Sequence, residues 1–500
     1  MKYQNPIIPG FNPDPSICRV GEDYYLVTSS FEYFPGIPIY HSKDLVNWEQ
    51  LSNCLSNSGD FPFSRAADSG GVWAPTIRYE AGRFFVTATF DSCGNFLVTA
   101  SNPAGPWSAP VWIGVGGIDP SLFFEDGRAY YCTNQSQHPG QEEITLWEIN
   151  VDNGTVIGEG RTLWTGIGGG HLEAPHIYHI GEYYYLLTAE GGTSFNHMVT
   201  VARSPALWGP YESCPDNPIL TNVHDTEKAV LCTGHGDLFQ DHRGNWWMVH
   251  LAIRTARRTM SHLGRETFLT PVFWQDGWPR TANRKKAALE CDGPLWLPQK
   301  VRGTWRADFA RSQWEPEWIF LRKPEEENYK RSGGILRLQP TPIHFSDGKS
   351  PTFAALRPRG FDVQMEAEFM FEPCEIGDEG GLAILLSSRF YYLFIKRKTE
   401  QGVFLVLEKC AEDMRQTACQ IPVSEGKLRL QIAADRENYR FFYSVDGEAN
   451  HLAAVASTRF LSCEVAGRSF TGTVMGLYTA SCKGTESVVR VSSVTMAEMC

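Results

Sequence analysis

Residues 12–25 read NPDPSICRVGEDYY, and this stretch decides the predicted fold. An Asp-Pro pair is followed by a short run of β-prone residues, then by Gly21 and by the aromatic pair Tyr24-Tyr25. A short strand, a glycine turn and an aromatic strand in this order are typical of a β-hairpin. The hairpin is therefore the unit to look for in the rest of the chain.

The hairpin pattern recurs through the first half of the chain. Four copies begin with a small or acidic residue and a proline: Asp14-Pro15, Ala74-Pro75, Asp119-Pro120 and Ala174-Pro175. A degenerate fifth copy, Gly236-Asp237, follows His235. Five sheet-sized units predict a β-propeller with five blades, because repetition around an axis leaves only short, protected edges. Five separate hairpins on a sandwich are the alternative.

The second half of the chain predicts another β domain. Residues 362–369 and 427–432 alternate polar and apolar side chains, so each strand has one wet face and one core face. The segment from Arg280 to Gly303 is basic and then contains proline, which is typical of a linker. We therefore predict an all-β protein, with a propeller over residues 1–295 and a jelly-roll β-sandwich over residues 303–500.

Charge and composition exclude several classes of protein. The chain has 45 Lys and Arg residues against 57 Asp and Glu residues, a net charge of −12. No cationic field is therefore expected to attract a nucleic acid or an anionic membrane. No apolar run approaches the roughly 18 residues that a membrane span needs. The 13 cysteines are odd in number, and the N-terminus has no signal-peptide pattern, so reduced thiols and a cytoplasmic location are expected.

Three carboxylates on the repeats are the candidate catalytic groups. Asp14, Asp119 and Glu173 lie on or beside the repeated motif, and the first strands of propeller blades line the central channel. A carboxylate between apolar residues and proline is costly to bury unless it is hydrogen-bonded or used in chemistry. The alternative is that Asp-Pro merely begins a turn. Three carboxylates in register on the repeats favour the catalytic interpretation.

The motifs of the chain resemble glycoside hydrolase family 43, the β-xylosidase and α-L-arabinofuranosidase group. The resemblance lies in the following stretches: 5–48, 70–75, 188–193 and 263–267. Residues 469–472 resemble a loop of the concanavalin-A-like sandwich that follows the propeller in the β-xylosidase branch. The resemblance thus extends over nearly the whole chain and implies an exo-acting, inverting hydrolase.

The resemblance also implies a role for each of the three acids. Asp14 matches the general base that deprotonates water, and Glu173 matches the general acid that protonates the leaving oxygen. Asp119 matches the group that tunes the pKa of the acid and orients it. Inversion requires a base and an acid on opposite faces of the sugar, with room for a water molecule between.

Five further residues are assigned by the same resemblance or by their chemistry. Phe31 and Trp73 are expected to shape the terminal sugar subsite, and Arg265 to bond sugar hydroxyls and hold the charge states of the acids. Phe470 matches the sandwich residue that closes the pocket in similar β-xylosidases. His235 matches a channel histidine that in some relatives contacts a water-bound calcium ion. One histidine does not make a metal site, so no cofactor is expected to be required, and calcium stays open.

The predicted substrate is a xylooligosaccharide or an arabinose-substituted oligosaccharide. We expect release of terminal β-D-xylose together with α-L-arabinofuranosidase activity. A mainly arabinofuranosidase activity and a non-catalytic carbohydrate-binding propeller are the alternatives, and a lectin would need no proton donor. The sequence leaves open whether the chain forms a homo-oligomer.

Overall fold

The computed structural model describes residues 2–57, 59, 61–136, 141–256, 259–293, 298–301, 303–467, 469–483 and 487–499, with the backbone alone at 284. These residues form strands and a few short 3₁₀ helices, which confirms the all-β prediction. The 3₁₀ helices are Phe63–Arg65, Asn283–Lys285, Glu326–Asn328, Phe345–Asp347 and Thr458–Leu461. None of the helices in these ranges is long and apolar enough to cross a membrane.

The first half of the chain forms five antiparallel sheets. The chain begins with β1 (Lys2–Gln4). The first sheet contains β2 (Ser16–Val20), β3 (Asp23–Val27), β5 (Gly36–Ser42) and β6 (Glu49–Leu55). The short strand β4 (Tyr33–Phe34) lies between β3 and β5 in the sequence and is not part of this sheet. The second contains β7 (Val72–Glu80), β8 (Arg83–Phe90), β9 (Gly94–Ala100) and β10 (Val111–Trp112). The third contains β11 (Ile118–Glu125), β12 (Arg128–Ser136), β13 (Glu142–Ile149) and β14 (Val156–Trp164). The fourth contains β15 (Glu173–Ile180), β16 (Tyr183–Glu190), β17 (Met198–Ser204), β18 (Glu212–Ser213) and β19 (Leu220–Thr221). The fifth contains β20 (Val230–Gln240), β21 (Trp246–Arg254), β22 (Glu266–Gln275) and β23 (Trp278–Thr281).

The five sheets close into a ring through their first strands. Strand β2 contacts β7, β7 contacts β11, β11 contacts β15, β15 contacts β20, and β20 returns to β2. Each sheet is therefore one blade, and the predicted five-bladed propeller is confirmed. The strand β24 (Glu290–Asp292) pairs antiparallel with β1 and joins the two ends of the propeller chain.

The repeated motif places one residue with positive φ at the channel end of every blade. These residues are Asp14 (φ 55°), Ala74 (φ 44°), Asp119 (φ 54°), Ala174 (φ 52°) and His235 (φ 51°). In the second to fifth blades the strand register shifts at the same point, as in a β-bulge. Glu173 lies one residue before its blade's equivalent position, Ala174. The three carboxylates are therefore on separate blades, but not all in the same register.

The second half of the chain forms two eight-stranded sheets packed face to face. The first sheet contains β25 (Trp305–Arg306), β27 (Tyr329–Ser332), β28 (Ile335–Leu338), β30 (Val363–Met370), β35 (Lys427–Ala434), β36 (Asn438–Val445), β37 (His451–Ser457) and β39 (Val489–Glu498). The second contains β26 (Ile319–Leu321), β29 (Thr352–Leu356), β31 (Glu379–Ser387), β32 (Phe390–Thr399), β33 (Gly402–Ala411), β34 (Met414–Pro422), β38 (Val474–Ala480) and, from the propeller, β4. The alternating side chains of β30 and β35 bury one face in the core between the sheets, as their sequences predict.

The propeller and the sandwich share a sheet through β4. Phe34 pairs with Phe320, and Tyr33 pairs with Leu321, so two propeller residues form the edge strand of the second sandwich sheet. The predicted domain limits, 1–295 and 303–500, stay predictions, and residues 1, 295 and 500 lie outside the described residues. The last blade strand is β23 and the first sandwich strand is β25.

A buried carboxylate connects the blades inside the ring. Asp237 Oδ2 accepts hydrogen bonds from Arg78 Nη1 at 2.9 Å and from Ser16 Oγ at 2.7 Å, and Oδ1 accepts one from the Tyr178 hydroxyl at 2.6 Å. These partners lie on the second, first and fourth blades. Burial alone would raise the pKa of Asp237, but the charge of Arg78 and these hydrogen bonds hold it well below its ordinary value. The carboxylate is therefore ionised and fully paired.

Replacing Arg78 with leucine should strongly destabilise the propeller. The substitution leaves Asp237 buried without its cation, and breaking a buried ion pair costs about 3–5 kcal/mol. Arg83→Leu is the control, because Arg83 makes an exposed pair with Asp152 and such pairs contribute about 1 kcal/mol or less. Urea unfolding followed by tryptophan fluorescence measures both. Equal losses in the two variants would contradict a central role for the Asp237 pair.

Candidate active site

Asp14 lies just before β2, at the channel end of the first blade. Its Oδ1 accepts a hydrogen bond from Arg265 Nη1 at 2.7 Å, and its Oδ2 accepts one from Ser29 Oγ at 2.6 Å. The residue is buried, and burial would raise its pKa. The positive charge of Arg265, followed by His235 and the Ser29 hydrogen bond, outweighs burial and lowers the pKa of Asp14. Asp14 is therefore a carboxylate at neutral pH.

Asp119 lies in β11 on the third blade and contacts the strand that carries Glu173. Its Oδ2 accepts a hydrogen bond from the backbone N–H of Ala174 at 3.2 Å. Burial, together with the negative charge of Asp14, raises the pKa of Asp119 to about 6, although His235 acts in the opposite direction. Asp119 therefore holds the start of β15 in place and adds negative charge close to Glu173.

Glu173 is the first residue of β15, and its side chain is 19% exposed toward the channel. Burial raises the pKa of Glu173 well above its ordinary value, and the negative charges of Asp119 and Asp14 raise it further. Arg265 opposes these effects without cancelling them. The site thus combines a protonated Glu173 with an ionised Asp14 at the same pH.

His235 lies between two of the carboxylates. Its Nδ1 is 3.7 Å from Asp14 Oδ1 and 3.9 Å from Asp119 Oδ2. Within the described ranges, no group of three or more His, Cys, Asp or Glu side chains is arranged to hold a metal ion. A water-mediated calcium contact at His235 stays a prediction.

Arg265 connects the carboxylates to the aromatic wall of the pocket. In addition to Asp14, its Nη1 donates to Thr193 Oγ1 at 3.3 Å, and its Nη2 donates to the Phe470 carbonyl at 3.1 Å. Its guanidinium carbon lies 5.5 Å from the ring centroids of both Phe31 and Phe470. These two rings are 6.0 Å apart, so one arginine orders a carboxylate and two aromatic side chains.

Phe470 reaches this pocket from the sandwich. Its backbone N–H donates to Ser69 Oγ at 3.0 Å, which fixes the loop against the propeller. The loop approaches so closely that a Cβ on Gly264 would lie 2.7 Å from the Gly472 Cα. Trp73 is on the same side, where its indole N–H donates to the Ser69 carbonyl at 3.0 Å, and it packs with Phe31 and Phe470 in one apolar cluster. The structure therefore brings all eight predicted site residues to the mouth or wall of one channel.

Three polar residues of the site were not predicted from the sequence. Ser29 binds Asp14 and lies within the 5–48 stretch, where no role was assigned to it. Thr193 follows the glycines of the 188–193 stretch, which was used only for the family resemblance. His197 lies 3.9 Å from Glu173 through its Nε2. Only Thr193 carried a usable signal, because a polar residue after two glycines is typical of a loop at a site.

A five-bladed propeller whose channel holds two carboxyls with pKa values shifted in opposite directions has the features of a glycosidase. The description "Glycosyl hydrolases family 43" matches residues 3–279, and "Beta xylosidase C-terminal Concanavalin A-like domain" matches residues 306–496. The chain belongs to glycosyl hydrolases family 43, and it is a glycoside hydrolase followed by a concanavalin-A-like sandwich.

Relatives match the chain over nearly its whole length. A non-reducing end alpha-L-arabinofuranosidase of Bacteroides ovatus is 40% identical over 95% of this chain and 91% of its own. A beta-xylosidase of Bacillus subtilis is 33% identical over 95% of this chain and 96% of its own. The crystal structure of a xylan beta-1,4-xylosidase from Bacillus halodurans superposes with a TM-score of 0.93, at 31% identity over 99% of this chain and 100% of that one.

Replacing Asp119 with asparagine should move the alkaline limb of the hydrolysis pH profile to lower pH. The substitution keeps the shape of the side chain and removes a negative charge that raises the pKa of Glu173, so Glu173 loses its proton sooner. The measurement is kcat/KM for a nitrophenyl glycoside against pH. Asp126→Asn, in the exposed turn of the same blade, is the control. An alkaline limb at the wild-type position would show that Asp119 does not tune Glu173.

Proposed function

We propose that the protein is an exo-acting, inverting glycoside hydrolase that releases terminal β-D-xylose from xylooligosaccharides and also cleaves α-L-arabinofuranosides. The observation that carries the proposal is that Asp14 and Glu173 share one channel, where their surroundings shift the pKa of Asp14 down and the pKa of Glu173 up. An inverting hydrolase needs a carboxylate to activate water and a carboxylic acid to protonate the leaving oxygen. A lectin has no use for this difference in protonation.

In the proposed reaction, Asp14 removes a proton from the attacking water and Glu173 gives its proton to the leaving oxygen. The Arg265 and Ser29 contacts keep Asp14 ionised and oriented before substrate arrives. Asp119 holds the backbone beside Glu173 and keeps that acid protonated through its negative charge. No covalent intermediate forms, and water attacks from the face opposite the departing group.

The aromatic wall supports removal of a terminal sugar. Phe31 and Phe470 pack against each other beside Arg265, which binds Asp14. Asp237 lies inside the ring and accepts a hydrogen bond from Ser16 of β2. We infer that this enclosure accepts one sugar unit and leaves no passage for a continuing chain. The substrate class, a carbohydrate, follows from the family, and the specific oligosaccharide is our proposal.

A second activity is favoured by the relatives. The Bacteroides ovatus relative is named as an alpha-L-arabinofuranosidase and the Bacillus subtilis relative as a beta-xylosidase. Terminal β-D-xylopyranose and α-L-arabinofuranose present similar hydroxyl arrangements, so one pocket can accept both. We propose xylosidase activity as the main one and a mainly arabinofuranosidase enzyme as the alternative. The cytoplasmic location stays a prediction.

Proton NMR of the enzyme acting on nitrophenyl β-xyloside and nitrophenyl α-arabinofuranoside should show inversion at the anomeric carbon. The first xylose anomer released from the β-xyloside is expected to be α, because water attacks opposite the leaving group. The same spectra rank the two sugars by rate. First appearance of the β anomer would contradict the assignment of Asp14 as a base.

Phe470→Ala should raise KM for xylobiose by about 5–150-fold, the equivalent of about 1–3 kcal/mol of lost apolar contact. Longer or branched oligosaccharides should lose less, because the removed ring also opens the far side of the pocket. Phe460→Ala is a matched control, since Phe460 is a 44% exposed phenylalanine of the sandwich. Unchanged kinetics on both substrate types would show that the propeller alone sets exo-specificity.

A further inference from the structure

His197 is a buried histidine that the proposed reaction does not use. It precedes β17 and is 1% exposed. Its Nδ1 lies 3.2 Å from the backbone carbonyl of Cys232. A carbonyl only accepts hydrogen bonds, so Nδ1 carries the proton. Burial lowers the pKa of His197 to about 3, so the ring is neutral and its Nε2 presents a lone pair.

The lone pair of His197 faces Glu173. Nε2 is buried, has no hydrogen-bond partner among the described residues, and lies 3.9 Å from Glu173 Oε1. Buried polar atoms without a partner are rare in folded proteins and call for an explanation. A hydrogen bond between the two atoms would require Oε1 to approach Nε2 by about 1 Å.

The neighbouring blade makes room for the ring in this position. A Cβ on Gly234 would lie 2.4 Å from both Nε2 and Cε1 of His197. Any side chain at Gly234 would therefore displace the ring edge that faces Glu173. Gly234 lies beside His235 in β20. The fifth blade therefore contributes a channel residue and also leaves the space that the His197 ring occupies.

We propose that His197 is a positioning residue for the general acid: its Nε2 accepts a hydrogen bond from protonated Glu173 while the pocket is empty. The proposal rests on the function proposed above. A neutral acceptor with no proton to donate stabilises the acid form of Glu173 and offers nothing to the carboxylate. The proton stays on Glu173. When substrate binds, the carboxylic acid donates its hydrogen bond to the leaving oxygen instead of to Nε2. His197 thus sets the resting state of the acid without entering the reaction.

The effect of His197 on Glu173 can be separated from the effects of the surrounding charges. Glu173 is influenced by Asp119, Asp14, Arg265 and Glu142, and His197 by His235, Arg265 and Asp14. A substitution of the neutral His197 leaves every one of these charges in place. A change in the titration of Glu173 would therefore come from the lost hydrogen bond.

The test is the pH dependence of the variant His197→Phe, which keeps a ring against Gly234 and removes the acceptor. The alkaline limb of kcat/KM reports the free enzyme and should move to lower pH by about 0.5–1 unit. The alkaline limb of kcat reports the substrate complex and should move less, because Glu173 has then turned to the leaving oxygen. His197→Gln places an amide oxygen near the Nε2 position and should restore the limb of kcat/KM.

His262→Phe is the matched control. His262 is also buried, also has an Nε2 without a partner among the described residues, and also has a pKa lowered by burial to about 3. It packs against Phe361 and Tyr439, away from Glu173. Its substitution should lower stability without moving either limb. If His197→Phe does not fold, His197→Asn, which can still donate to the Cys232 carbonyl, replaces it.

Two results would overturn the proposal. One is a kcat/KM limb of the His197 variant that coincides with that of His262→Phe. The other is carbon-13 NMR of labelled glutamate carboxyls, with Glu173 assigned through Glu173→Gln, that shows the same titration of Glu173 in wild type and His197→Phe. Failure of the proposed function is seen separately, as a wild-type enzyme that hydrolyses neither nitrophenyl glycoside.

Discussion

The buried contact between Asp237 and Arg78 is the interaction on which the rest of the propeller depends. One carboxylate gathers donors from three other blades, and Ser16, one of these donors, lies two residues from Asp14. A buried charge is costly unless it is fully paired. Moving the first strands apart would leave the Asp237 carboxylate buried without its partners, so the strands are held together. This shared partner therefore fixes the first strands of four blades relative to one another, and Asp14 and Glu173 lie at the channel ends of two of these blades.

The two carboxyls differ in protonation because the positive charge of Arg265 acts on them unequally. Arg265 bonds directly to Asp14 but only reaches Glu173 through space, while burial acts on both carboxyls in the same direction. The nearer carboxyl is therefore ionised and the farther one keeps its proton. Since Arg265 also binds the Phe470 carbonyl, the position of the sandwich loop and the charge state of Asp14 are linked.

The sequence predicted the blades well because the Asp-Pro repeat marks a local backbone feature, the bulge with positive φ. The offset of Glu173 by one residue was not predicted, since proline marks Ala174 and not the acid itself. Ser29 and His197 were missed for a different reason: each contacts its carboxylate from a distant position of the same blade, and such contacts leave no local pattern. The two-residue strand β4 is likewise too short to show any alternation of polar and apolar side chains.

The shared edge strand β4 has a consequence for how this architecture can be changed. A propeller cut from its sandwich would expose the backbone edge of Tyr33–Phe34 and the apolar cluster around Phe31, both of which invite aggregation. A sandwich transplanted from a relative would have to reproduce that edge pairing as well as the loop at Phe470. Recombination between family members is therefore expected to succeed with the two halves inherited together, as a single exchangeable block.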